Sequence, residues 1–167
     1  LSESNTFKPS FLHCSHSFFY FGSNYSQKTA EQLKICCTKN EKEIFDDSVR
    51  VLNQLADLAG PYGVKLSFEP IGDRRWCVNS VRQALEIVQA VNRDSVGLTV
   101  DCINVYLHDK CADVDYIRRI PEDKLFVFHI NDCEDLPLGI LDHCHRIMPG
   151  KGTIPIADVA DAVRAAG

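Results

Sequence analysis

The amino-acid sequence predicts an α/β fold in which parallel strands alternate with helices. Segments with apolar residues three or four positions apart, typical of amphipathic helices, alternate along the chain with short apolar or apolar-polar runs that are typical of strands. Three of the predicted strands end at a polar residue, namely Glu69, Asp101 or His129. The order of elements and these strand ends together indicate repeated βαβ units.

The first predicted helix covers Glu43 to Ala59, whose apolar residues fall on one face, and Gly60-Pro61 ends it. Residues 64 to 69 alternate between apolar and polar types before Pro70. Because the residue before a proline prefers extended geometry, this segment is predicted to be a strand that ends near Glu69.

Asn79 or Ser80 can cap a second helix, which continues to the polar residues 92 to 94. The next strand is predicted over Val96 to Val100, with Asp101 directly after it. His108 to Cys111 are predicted to form a polar loop close to the end of this strand.

Asp113 can cap a short helix through Ile120, and the apolar run 125 to 128 predicts a strand buried on both faces, closed by His129. The following loop, 131 to 152, is long for a compact domain, which favours a functional role. Residues 157 to 166 predict a last helix.

The spacing of the strand ends favours a barrel over an open sheet. A (β/α)8 TIM barrel has roughly 30 residues per unit, and here 32 positions separate Glu69 from Asp101 and 28 separate Asp101 from His129. Residues 41 to 167 are therefore predicted to form a partial (β/α)8 barrel domain that lacks N-terminal units and the last strand. Residues 1 to 40 are unassigned, apart from a possible strand at Phe18 to Phe21.

Composition excludes several classes of protein. The net charge of −5 provides no basic surface for a nucleic acid, and no apolar run reaches the roughly 18 residues that span a bilayer. The first ten residues lack the pattern of a signal peptide. The sequence thus predicts a cytoplasmic protein with a small polar substrate and no membrane or nucleic-acid partner. The cysteines form no C-x-x-C pair and are predicted to be reduced thiols in apolar packing.

Glu69, Asp101 and His129 are candidate ligands of one divalent metal. The C-terminal ends of barrel strands share a common rim, and two carboxylates with one imidazole suit Mn²⁺, Mg²⁺, Co²⁺ or Zn²⁺. Taken singly, each residue also fits a structural role, as a cap, a turn residue or a core histidine. Burying three such groups together without a cation would be costly, which favours the metal site.

Two features of the long loop bear on function. Arg146 precedes a turn at Pro149 to Gly152, and its planar guanidinium can bind substrate oxygens, although a surface arginine beside a turn fits the same pattern. In His143-Cys144-His145, side chains two positions apart do not share a helical face, so exposure is expected rather than a second metal site.

Several motifs resemble those of a known family. They are Phe68-Glu69-Pro70-Ile71-Gly72, Val100-Asp101, His129-Ile130-Asn131-Asp132 and Pro149-Gly150-Lys151-Gly152 with the preceding Arg146. From about Glu43 to Gly167 the chain resembles the xylose-isomerase-like barrel family of sugar-phosphate isomerases and epimerases, and within it the inosose (2-keto-myo-inositol) isomerase branch.

The resemblance implies that Glu69, Asp101 and His129 bind the metal, that Glu69 also transfers a proton, and that Arg146 holds substrate oxygens. The family usually has a substrate-binding histidine three residues after the aspartate. Here that position is Asn104, which can bond a hydroxyl but cannot carry a proton at neutral pH. A second glutamate from the last strand, expected as a fourth ligand and acid/base partner, is absent from this sequence.

The expected function is a divalent-metal-dependent isomerisation or epimerisation of a keto-cyclitol or ketose, with proton transfer through a metal-stabilised enediolate. The substrate would be a small polyhydroxylated carbonyl compound. Two alternatives are an endonuclease IV-like phosphodiesterase, which the acidic charge disfavours, and a non-catalytic truncated barrel or subunit. The open sheet edges of a partial barrel favour a homo-oligomer.

Overall fold

The computed structural model describes the backbone of residues 11 to 15 and the whole of residues 39 to 167. Its strands are β1 (Phe11–Ser15), β2 (Lys65–Glu69), β3 (Val96–Asp101), β4 (Leu125–His129), β5 (Asp132–Cys133) and β6 (Arg146–Ile147). Its α-helices are α1 (Glu41–Ala59), α2 (Val81–Val91), α3 (Cys102–Asp109), α4 (Val114–Ile117) and α5 (Ile156–Ala166). Short 3₁₀ helices lie at Gly60–Tyr62, Glu122–Lys124 and His143–His145.

The first four strands form one parallel sheet in the order β1-β2-β3-β4. This confirms the α/β architecture with parallel strands, and it corresponds to half of an eight-stranded barrel. The strand suggested at residues 18 to 21 lies outside the described residues. Strand β1, at residues 11 to 15, pairs with β2 from within the segment that the sequence left unassigned.

The core lies between the sheet and the helices on its outer face. Leu66 and Phe68 of β2 are fully buried, as are Leu98 and Val100 of β3, and helices α1 and α2 pack against these strands. Since successive side chains of a strand point to opposite faces, Glu69 and Asp101 point away from these apolar residues, toward the barrel interior. Because apolar residues occupy the outer face of β2 and β3, the side chains of Glu69 and Asp101 at the strand ends face the barrel interior.

Helix α3 was not predicted, because residues 108 to 111 were expected to be a loop. The helix begins directly after β3 because the Asp101 side chain accepts hydrogen bonds from the backbone N–H groups of Ile103 and Asn104. His108 lies in its last turn, and the helix ends at Lys110, which has a left-handed φ of 59°. One aspartate therefore both closes a strand and caps a helix.

Three described cysteines confirm the prediction of thiols in apolar packing. Cys102, Cys111 and Cys133 are buried and free, and burial raises the pKa of Cys102 and Cys133 to about 11 and that of Cys111 to about 12. Cys144 is exposed instead. In the part of the chain that the structure describes, no helix has both the length and the apolar character needed to cross a membrane.

Candidate metal centre

Glu69, Asp101 and His129 converge at the C-terminal ends of three neighbouring strands. Each offers one ligand atom, and these atoms all lie within 4.8 Å of one another. His129 Nδ1 lies 3.4 Å from Asp101 Oδ2 and 3.9 Å from Glu69 Oε1. Glu69 and Asp101 are buried, whereas the His129 side chain is 42% exposed, so the cluster can be reached from solvent.

The two oxygens of Asp101 have different partners. Oδ1 accepts the N–H groups of Ile103 at 3.0 Å and Asn104 at 3.3 Å, which anchors the start of α3. Oδ2 accepts Asn131 Nδ2 at 3.0 Å and Arg146 Nη2 at 3.3 Å. One oxygen thus serves the helix, and the other faces His129 and the cluster.

Glu69 is costly to ionise in this setting. Burial, followed by the negative charge of Asp101, raises the pKa of Glu69 to about 7, although His129, Asn104 and Arg146 act in the opposite direction. A cation bound here would relieve this cost, because it would offset both carboxylate charges. Two carboxylate oxygens and one imidazole nitrogen, brought this close together, fit a divalent cation.

Asn104 links Glu69 to a histidine that sequence reasoning missed. Its Nδ2 donates to Glu69 Oε1 at 2.8 Å, while its Oδ1 accepts the Gly72 N–H at 3.1 Å and pairs with His143 Nε2 at 2.8 Å. Exposure was expected for His143, and that expectation was wrong: the residue is half-buried. A 3₁₀ helix capped by the Asp142 side chain places it against Asn104.

The surroundings of His143 favour the neutral form of its ring. Burial, followed by the positive charge of Arg146, lowers the pKa of His143 below its usual value. In sequence, its one distinguishing signal is its place three positions before Arg146.

Asp132, the last residue of the His129-Ile130-Asn131-Asp132 motif, organises the long loop. Its carboxylate accepts the backbone N–H groups of Cys133, Gly150, Gly152 and Ile154 at 2.8 to 3.0 Å. Burial by itself would raise the pKa of Asp132, but these donors hold it below its usual range. These hydrogen bonds hold residues 150 to 154 against β5. Strand β5 also pairs with the antiparallel strand β6, which begins at Arg146.

All five residues predicted for the site lie together in the structure, while their functional roles stay predictions. Arg146 reaches Asp101, and Asn104 reaches Glu69, so both adjoin the three candidate ligands. His145 does not join the site, because its Nδ1 accepts the Asp142 N–H at 3.1 Å.

Sequence comparisons connect this chain with sugar-related isomerases. A sequence model described as Xylose isomerase-like TIM barrel matches residues 12–167. An inosose isomerase of Bacillus subtilis (strain 168) is 39% identical over 76% of this chain and 45% of the relative. An inosose isomerase of Halalkalibacterium halodurans is 36% identical over 76% of this chain and 44% of the relative. The chain thus spans less than half the length of these curated relatives.

Solved structures with a similar fold support the barrel architecture that the sequence comparisons indicate. A crystal structure of the IOLI protein with a bound zinc atom is 30% identical, covers 96% of this chain and 64% of that chain, and has a TM-score of 0.75. A D-psicose 3-epimerase structure in the presence of D-fructose, 21% identical, covers 87% of this chain and 43% of that chain with a TM-score of 0.59, a likeness of fold alone. From the family match over residues 12–167 and the relatives above 30% identity, this chain belongs to the xylose isomerase-like TIM barrel family.

Proposed function

We propose that this chain provides the metal- and substrate-binding part of an isomerase or epimerase of a keto-cyclitol or ketose. The observation that carries the proposal is the convergence of two buried carboxylates and an imidazole within 4.8 Å at neighbouring strand ends. The relatives that carry the name inosose isomerase support a small polyhydroxylated carbonyl substrate.

Glu69, Asp101 and His129 would hold a divalent cation, with Zn²⁺, Mn²⁺, Mg²⁺ and Co²⁺ as the candidates. The bound zinc of the IOLI structure supports this assignment. When bound, the cation supplies Lewis-acid polarisation of a substrate carbonyl, which makes the neighbouring carbon-bound proton more acidic.

Glu69 is the proposed proton-transfer group. A carboxylate whose pKa lies at about 7 can both accept and return a proton near neutral pH. Asn104 holds one of its oxygens at 2.8 Å, which restricts the orientation of the carboxylate. A single carboxylate removes and returns the proton on one face of the substrate, so inversion at carbon requires a second base on the opposite face.

Arg146 and Asn104 are the proposed substrate-binding residues. The Arg146 side chain is 42% exposed and uses one N–H contact for Asp101, so further guanidinium donors remain for substrate oxygens. Asn104 has a second Nδ2 hydrogen that can donate to a hydroxyl beside Glu69.

Calorimetry with Zn²⁺ and Mn²⁺ tests the metal site. The wild-type protein should bind one cation, and the variant Glu69→Gln with Asp101→Asn should lose that binding. The matched control, Glu86→Gln with Asp94→Asn, makes the same change of charge at exposed positions and should bind as the wild type does. Absence of binding to the wild type, or equal binding to both double variants, would overturn the proposal.

Solvent exchange tests the reaction. With the cation added, a keto-cyclitol such as 2-keto-myo-inositol in D₂O should exchange the proton next to its carbonyl for deuterium, as followed by NMR. The Glu69→Gln variant should not catalyse this exchange. Cation binding without any exchange in the wild type would support a non-catalytic role instead.

A further inference from the structure

The side-chain amide of Asn104 can adopt only one orientation. Its oxygen meets the N–H of Gly72 at 3.1 Å, and a backbone N–H can only donate. Rotating the amide by half a turn would bring its NH₂ group against that donor. The oxygen therefore stays with Gly72 and His143, and Nδ2 stays with Glu69.

The same arrangement determines the tautomer of His143. Because Asn104 Oδ1 is an acceptor, His143 Nε2 must carry the hydrogen and donate it across the 2.8 Å contact. Two hydrogen bonds in series thus run from His143 to Asn104 and from Asn104 to Glu69.

Tight packing leaves Asn104 little freedom to rearrange. The residue is 4% exposed. A Cβ atom added to Gly72 would lie 1.7 Å from the Asn104 carbonyl oxygen, so the loop after β2 and the first turn of α3 are in direct backbone contact. Loss of the His143 partner would leave a buried acceptor with one donor fewer, which weakens the hold on the amide.

We propose that His143 is a positioning residue that, through Asn104, fixes the Glu69 carboxylate in its metal-binding orientation. It thereby couples the loop that carries Arg146 to the metal centre. The inference rests on the proposed function in one respect, namely that Glu69 is a metal ligand. His143 lies three residues before Arg146, so a displacement of the loop at Arg146 also displaces the donor to Asn104.

Four variants separate positioning from simple support of the loop. His143→Leu removes the donor to Asn104. His143→Gln places a side-chain N–H near the position of ring Nε2, whereas His143→Asn is too short to do so. His145→Leu is the matched control, because it makes the same chemical change two residues away and removes the contact of His145 with Asp142, the residue that caps the 3₁₀ helix.

Zn²⁺ affinity and the visible spectrum of the Co²⁺-loaded protein are the first two measurements. Mutations of residues that orient metal ligands typically weaken metal binding 10- to 100-fold. His143→Leu and His143→Asn should therefore weaken Zn²⁺ binding about 10-fold and change the Co²⁺ spectrum, while His143→Gln restores both. His145→Leu should lower the midpoint of thermal unfolding without changing the Zn²⁺ affinity or the Co²⁺ spectrum. Equal effects of His143→Leu and His145→Leu, or wild-type behaviour of His143→Leu, would overturn the proposal.

The side-chain amide NMR signals of Asn104 in the cation-free protein give a readout that needs no metal. These signals should shift in His143→Leu and return in His143→Gln, with no change in His145→Leu. If the wild type binds no cation, both the proposed function and the role of His143 in positioning a metal ligand fail. The NMR shifts described above would then still support the hydrogen bonds from His143 through Asn104 to Glu69. If the wild type binds Zn²⁺ and His143→Leu changes nothing, the positioning role alone fails.

Discussion

The carboxylate of Glu69 lies beside that of Asp101 at the ends of two neighbouring parallel strands, with an oxygen of each within 4.8 Å of the other. Both side chains are buried, so their charges are weakly screened. At this pair, a proton on Glu69 would compete with the proposed cation for the same carboxylate, so stability, pH and metal content should depend on one another.

The cation-free protein should lose stability relative to Glu69→Gln as pH rises from 5 to 7.5. The pKa of Glu69 is about 7 in the folded state, against the ordinary 4.5 when unfolded. Between these values the folded state keeps the proton that the unfolded state releases, so the folded state is favoured at low pH, and this advantage disappears as pH rises through 7.

The expected loss in the free energy of unfolding is about 2 to 3 kcal/mol, measured by urea unfolding in the presence of a chelator. Saturating Zn²⁺ should remove this pH dependence, because the cation stabilises the ionised carboxylate. An identical pH dependence of wild type and Glu69→Gln would contradict the assignment of the raised pKa to this residue.

Gly72→Ala should disturb both stability and the metal site. The added methyl group would lie 1.7 Å from the carbonyl oxygen of Asn104, and a backbone atom cannot move aside cheaply. We expect a loss of about 3 kcal/mol in urea unfolding, together with weaker Zn²⁺ binding by calorimetry. Gly139→Ala is the control, because no atom lies within 4 Å of its added Cβ.

Asp132→Asn should destabilise the loop that carries Arg146. The new NH₂ group would face backbone N–H donors, such as those of Gly150 and Gly152, that the carboxylate now accepts. The expected loss in thermal or urea unfolding is about 3 kcal/mol, since buried charged hydrogen bonds are lost. Asp135→Asn, at an exposed position of the same loop, should leave stability unchanged.

The stabilising effect of Asp132 should also depend on pH. Its folded-state pKa lies below the ordinary 3.8, so its contribution is present above pH 4 and is lost as pH falls through the lowered value. The difference in the free energy of unfolding between wild type and Asp132→Asn should therefore become smaller at acidic pH. If the difference in the free energy of unfolding were the same at pH 2 as at neutral pH, the packing of the Asp132 side chain rather than its negative charge would stabilise this loop.

Arg146→Gln should separate substrate binding from metal binding. Removing the guanidinium should raise KM about 10-fold, the effect of losing a charged hydrogen bond. Zn²⁺ affinity should not fall, because a positive charge near Asp101 is removed. Arg164→Gln makes the same change at an exposed site on α5 and serves as the control. A parallel loss of Zn²⁺ affinity would indicate that Arg146 acts by holding Asp101.

The strand ends were predictable because they depend on local chemistry. Pro70 forces an extended residue before it, and the change from apolar to polar residues marks the ends of β3 and β4, so Glu69, Asp101 and His129 close their strands as predicted. Helix α3 was missed because a capping aspartate directly after a strand resembles an ordinary turn residue. The inward placement of His143 was missed because side chains two positions apart do not share a helical face, which led to the expectation of exposure for His143 and His145.

The sequence by itself determined that three metal-compatible side chains share one rim, because strand periodicity and the length of a βα unit are properties of short segments. Only the tertiary structure decided which groups meet across that rim. Asn104 and His143 are 39 positions apart, and Asp101 and Arg146 are 45 apart. Such pairs depend on the path of the long loop, and that path is set by the buried carboxylate of Asp132 and its backbone donors, which no local pattern reveals.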